Sequence, residues 1–227
     1  MLARPKKFRG TTMCTKPFAL SLIVVALAMP ALSSAVNAGA PNPVALVTEL
    51  DMRLRQVHAD SGLTTMERQR RFRGLLEQGF DFSTISHFVL GRYWLAASDQ
   101  VRQEFSGVFV DYVVQSLDGR LGEYIRGSLN VTGTRAEGAH DTVVSTVIDY
   151  SETAPPAMVD WRVMDTPGGL KVTDVSLAGM SLALTYRDQF VSVIDHHDGQ
   201  VSSLISELRG KLDTRPNAGA LSNNSGR

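Results

Sequence analysis

Apolar residues recur at helical spacing up to about residue 125, at strand spacing from 128 to 177, and at helical spacing again to 212. Val47, Leu50, Leu54 and Val57 share one face of a helix over 44–59, and Ser61-Gly62 breaks it. Thr64 with Glu67 three residues on is a capping box, which opens a second helix over 65–79. Its polar face carries Arg68, Arg70, Arg71 and Arg73, and Gly79 stops it. Asp81 caps a short third helix with Phe82, Ile85, Phe88 and Val89, ended by Gly91. Ser98 or Asp99 caps a long fourth helix with the stripe Val101, Phe105, Val108, Phe109, Tyr112, Val113 and Leu117. The stripe weakens toward Leu121 and Tyr124, where Gly119 and Gly122 loosen the last turns.

β-Branched and aromatic residues then predict strands at 128–136, 142–150, 157–165 and 169–177. Thr166-Pro167-Gly168-Gly169 is a tight turn, and such short connections make the strands antiparallel neighbours. In the third strand Val159, Trp161 and Val163 face one way, Asp160 and Arg162 the other. In the fourth, Leu170 and Val172 change sides relative to Val175 and Leu177, which predicts a bulge near Thr173-Asp174. Beyond Gly179 one stripe holds Leu182, Tyr186, Phe190, Val193 and Ile194. A break at Asp198-Gly199 precedes Val201, Leu204, Ile205 and Leu208. The order predicts an α+β fold: N-terminal and C-terminal helices on a twisted four-stranded antiparallel sheet.

The chain has 227 residues with 23 basic and 23 acidic side chains. The balance is uneven. Residues 1–38 hold Arg4, Lys6, Lys7, Arg9 and Lys16 with no acid, and the remainder carries a net of −5. A surface of that sign binds nucleic acid poorly. Residues 1–17 are basic, Phe18 to Leu32 are apolar, and small residues follow. That order is a secretory signal peptide. The apolar run is 15 residues with Pro30 inside it, short of the roughly 20 that a membrane span needs. The expected division is a signal over 1–38, one domain over 39–212 and a tail over 213–227, with the protein in the periplasm. Cys14 is the single cysteine and lies within the signal, so the exported chain has no thiol chemistry.

Two segments carry a resemblance. Phe80-Asp81-Phe82, Ile85-Ser86 and Val89-Leu90-Gly91-Arg92-Tyr93-Trp94 resemble the opening signature of the MlaC family, also called the toluene-tolerance auxiliary proteins. Lys171-Val172-Thr173-Asp174-Val175, Gly179-Met180-Ser181-Leu182 and Tyr186-Arg187-Asp188-Gln189-Phe190 are similar to its second signature. The resemblance covers about 44–212. It implies a periplasmic carrier that holds phospholipid acyl chains between sheet and helices. Such a carrier moves lipid between an outer-membrane lipoprotein complex and an inner-membrane ABC transporter. A hopanoid-associated branch of the family implies a ring-shaped ligand instead, and a filled core would make the protein an adaptor.

An acyl-chain cavity needs apolar walls and almost no chemistry, since each buried methylene contributes about 0.8 kcal/mol. The candidate walls are Val159, Trp161 and Val163 on the sheet, Phe105, Val108 and Tyr112 on the long helix, and Leu182, Tyr186 and Phe190 on the next. A packed core would use the same residues. No catalytic residue, metal ligand or cofactor is expected. Asp195-His196-His197-Asp198 is similar to a phosphoesterase motif, but adjacent helical positions point about 100° apart and it reads as a helix end. Gly179-Met180-Ser181 lacks the second glycine of a nucleophile elbow, so Ser181 reads as an N-cap. The arginines of the second helix suit lipid phosphates, an acidic partner or plain solvent. Arg92 suits an ion pair or headgroup, Trp94 anchors its turn, and Asp174 with Arg187 is a candidate ion pair.

Overall fold

The structure, a computed structural model, describes residues 42–124, 127–150 and 155–214. α1 (Pro43–Ala59) starts at Asn42, whose side-chain oxygen accepts from the Val44 and Ala45 N–H groups. α2 (Thr65–Gly79) opens on the capping box. Thr64 accepts from the Glu67 N–H at 3.2 Å, and the Glu67 carboxylate accepts from the Thr64 N–H at 2.9 Å. α3 (Phe82–Leu90) is capped by Asp81 and ended by Gly91. α4 (Arg92–Ala96) is a five-residue helix that the pattern did not predict. Its stabiliser comes from elsewhere. Arg102 donates to the Trp94 and Leu95 carbonyls and lies 5.5 Å over the Trp94 ring. α5 (Asp99–Tyr124) follows, with Ser98 accepting from the Val101 N–H.

β1 (Ser128–Ala136), β2 (Asp141–Asp149), β3 (Ala157–Thr166) and β4 (Gly169–Leu177) form an antiparallel meander. The sheet has five strands rather than the expected four, because β5 (Met180–Ser181) pairs with the end of β4. Two residues are too few to carry a period. The turn between them places Ala178 at φ 49° and Gly179 at φ 82°, the left-handed pair that a two-residue hairpin requires. Thr173 is the bulge. Arg162 pairs with Asp174 but Val163 pairs with Val172. The extra residue returns Val175 and Leu177 to the face of Val172, opposite Trp161 and Val159. A second bulge falls at Thr132, between Val131 and Gly133.

α6 (Leu182–Asp195) and α7 (Val201–Thr214) complete the chain, with His196 capping α6 and Asp198 and Gly199 at positive φ between them. Leu121 and Tyr124 lie in α5, but their side chains are outside those described, as are residues 1–41, 151–154 and 215–227.

The expected Asp174–Arg187 pair does not form. Asp174 instead accepts from the Val175 N–H at 2.8 Å and the Ala183 N–H at 3.0 Å. The Ala183 amide is one of the unpaired donors of the α6 N-terminus, and Ser181 Oγ takes another from Leu184. The bulge at Thr173 sets the Asp174 carboxylate on the helix start, where backbone donors and the helix dipole favour a negative charge. At the other end of α6, Asp195 accepts from Arg92 at 2.5 Å and from the Tyr93 hydroxyl. Arg92 therefore has its ion pair, and Trp94 packs half-buried against the core.

Two outcomes are expected. Asp174→Ala should lower unfolding stability by about 1–2 kcal/mol in urea titrations, with Asp174→Asn intermediate. The Asp195 carboxyl is held below its usual range, by the Tyr93 hydroxyl first and Arg92 next. A depressed carboxyl contributes stability above its unfolded value, near 3.9, and loses it as pH falls through the folded value. NMR titration of the Asp195 carboxyl should show a midpoint below that of an unfolded Asp. Tyr93→Phe should raise it, and an unmoved midpoint would refute the assignment.

Candidate apolar site between sheet and helices

On the sheet side, β3 presents Val159, Trp161 and Val163. Val163 is 1% exposed and Val159 6%, while Trp161 is half-buried. The indole needs a partner for its N–H when it is covered. It donates to Thr146 Oγ1 at 3.0 Å, and the Thr146 hydroxyl donates in turn to the Val159 carbonyl at 2.9 Å. Both bonds stay within β2 and β3. The polar end of Trp161 is satisfied inside the sheet, and its ring is left as an apolar surface.

The helical side is aromatic. Phe105 and Phe109 stack at 5.6 Å, and Phe190 meets both edge-on at 5.9 and 5.6 Å. Tyr186 stacks on Phe190 at 5.5 Å and meets Phe109 and Tyr112 edge-on. Geometries of this kind add to simple area burial. Phe105, Val108 and Phe190 are buried, Tyr112 and Tyr186 half-buried, and Leu182 is 36% exposed at the start of α6. Leu182 and Tyr186 are one turn apart on the same flank of that helix.

The nine sequence candidates do not form one packed body. Phe105, Val108, Tyr112, Tyr186 and Phe190 belong to a cluster built by α3, α5, α6 and α7. Val163 and Trp161 belong to a second cluster, with Val47, Leu50 and Leu54 of α1, Phe72 of α2 and Val144 and Val172 of the sheet. Val159 is buried on β3, and Leu182 sits on the rim. Phe80 packs half-buried against both clusters and against a third, formed by Leu76, Val110 and Val114. Phe82 joins Phe80 at 5.9 Å to Phe109 at 6.2 Å. Sequence reasoning assigned no wall role to Phe80, Phe82 or Phe109. The available signal was Phe-Asp-Phe, two aromatics flanking a capping aspartate at a helix start.

Three of the four α2 arginines are held by the protein itself, and Arg70 is exposed. Arg68 donates to the His58 and Asp60 carbonyls, Arg71 pairs with Asp60, and Arg73 with Glu77 and Asp111. The Nδ1 atoms of His196 and His197 lie 2.6 and 2.8 Å from the Ser192 and Val193 carbonyls, so each ring faces its own helix end. His197, Ser202, Ser203, Ser206 and Glu207 line an open polar groove. None of the nine apolar candidates lines it.

The family model described as MlaC protein matches residues 45–210. No curated protein matches the chain. Among solved structures, the phospholipid-binding protein from Ralstonia solanacearum in complex with a phospholipid matches with a TM-score of 0.64 at 24% identity. The match covers 74% of this chain and 96% of that one, and at that identity it shows a common fold. With the family model spanning from the first turn of α1 nearly to the end of α7, the chain belongs to the MlaC protein family.

Proposed function

We propose that the protein is a non-enzymatic phospholipid carrier that holds acyl chains between the sheet cluster and the helical cluster. The observation that carries this reading is the division of the apolar interior. Two separately packed clusters have half-exposed rims, Trp161 and Val175 on one and Tyr112 and Tyr186 on the other. Partly exposed aromatic and aliphatic side chains at the edges of both clusters offer apolar surface whose covering by an acyl chain is favourable. The Ralstonia solanacearum protein of the same fold is described with a phospholipid bound, which supports the same ligand class.

Transfer on this reading needs no covalent chemistry. Chains leave one apolar groove for another without crossing water. Ten buried methylenes contribute on the order of 8 kcal/mol, ample for retention. The signal over 1–38 supports export to the periplasm. Family membership supports service between an outer-membrane lipoprotein complex and an inner-membrane ABC transporter.

The direct test extracts lipid from purified protein and identifies it by mass spectrometry. Phospholipid is expected, and sterol-like hopanoid would shift the ligand class. Delipidated protein should take phospholipid from vesicles, and failure to do so while folded rejects the carrier reading. Position within the sheet can be resolved by filling it. Val163 is packed, so Val163→Trp should cost about 1–3 kcal/mol of stability in the lipid-free protein. Val175 is half-buried opposite Trp161, so Val175→Trp should cost less than about 1 kcal/mol and reduce lipid uptake. Normal uptake by Val175→Trp would remove that part of the sheet from the site.

A further inference from the structure

Arg187, like Arg68, is held by backbone carbonyls rather than by a carboxylate. Arg53, Arg55, Arg73, Arg92 and Arg209 each meet a carboxylate. Arg187 meets none among the described residues, yet it is held in place from three sides. Its guanidinium donates to the Phe88 carbonyl at 3.1 Å and lies 5.0 Å from the centre of the Phe88 ring. The third side is Gly91. A Cβ at that position would stand 3.0 Å from Arg187 Nη2, and Gly91 has a φ of 53°, which other residues rarely adopt. Gly91 thus serves the end of α3 and the seat of the guanidinium together.

Apolar side chains flank the cation. Phe88 is 42% exposed, and Leu184, one turn before Arg187 on α6, is 49% exposed. Arginine and exposed aromatic rings are the residue types enriched at protein interfaces, and Leu184 extends the apolar surface beside them. The planar fork of the guanidinium matches a carboxylate, and the ordering cost that a flexible arginine would meet on binding is already met by the fold. An anionic bilayer fits less well. Asp188 is exposed on the next position, and beyond residue 38 the chain carries a net of −5, so an anionic lipid surface repels the molecule as a whole.

We infer that Phe88, Leu184 and Arg187 form a docking surface for a protein partner that presents an aspartate or glutamate among apolar side chains. The surface is distinct from the apolar walls of the proposed lipid site, and its test does not depend on that site.

The experiment places the photo-crosslinking residue p-benzoylphenylalanine at position 184 of the full chain in its own cells. Adducts are identified at the level of the cross-linked peptide. The expected product is a protein adduct whose peptide contains an acidic residue. Its yield should fall about tenfold or more with Arg187→Ala and Arg187→Glu, and by a smaller factor with Arg187→Lys, which keeps the charge but loses the planar fork and its stacking on Phe88. Circular dichroism melts establish that each variant is folded, and lipid content should stay at the parent level in all three. An adduct with phospholipid, an adduct with a second copy of the chain, or a yield indifferent to Arg187 each overturns the inference. A loss of bound lipid in a folded Arg187→Glu would assign Arg187 to the lipid site and overturn it as well. Failure of the carrier reading shows separately, as absence of lipid from the parent protein.

Discussion

Phe80 is the point through which the helices are tied to the sheet. Its N–H closes α2 on the Leu76 carbonyl, its backbone bridges Val172 of β4, and the next N–H, of Asp81, donates to the Val172 carbonyl at 3.0 Å. Lys171 reaches back to the Gln78 carbonyl from the same strand. The ring then packs against all three apolar clusters. Asp81 turns the chain at once into α3 by accepting from the Thr84 N–H. A backbone pinned to β4 on one side of the residue and a helix started on the other leave little freedom in how α3 approaches the sheet. The helical cluster and the sheet cluster therefore meet at Phe80 while each keeps its own packing.

β4 carries a second tie. The bulge at Thr173 serves two ends at once, because it keeps Val175 and Leu177 on the apolar face and sets Asp174 against the start of α6. The aromatic ladder of α5 and α6 hangs from that helix start. The proposed acyl-chain site needs such rigidity, since an apolar space that could collapse would lose to ordinary close packing. The polar bonds of Trp161 and Thr146 do similar work on the other wall by fixing the indole without exposing a donor to the apolar side.

Most elements were legible because period and punctuation agree. The capping box at Thr64, the stop at Gly79, the caps at Asp81 and Ser181 and the parity change at Thr173 are all local signals. What was missed is what lacks a local signal. α4 and β5 are too short to show a period, and α4 depends on Arg102 from the following helix. The bulge at Thr132 sits in a strand with exposed residues on both faces, so no hydrophobic parity records it. The Asp174–Arg187 pairing looked reasonable by charge alone. The unpaired amides of a helix start are the nearer partners of that carboxylate, and they became visible only once α6 was placed. The split of the core was not legible either, since the same stripe on α5 or α6 serves a filled interior or the rim of a hollow one.

The central claim is that acyl chains lie against Trp161. The chain has two tryptophans, Trp94 and Trp161, so Trp94→Phe isolates the emission of Trp161. The measurement is fluorescence of that variant loaded with phospholipid brominated midway along its acyl chains. The account predicts strong quenching relative to the same protein loaded with unbrominated lipid. Unchanged Trp161 emission at full lipid occupancy would place the chains elsewhere and contradict it.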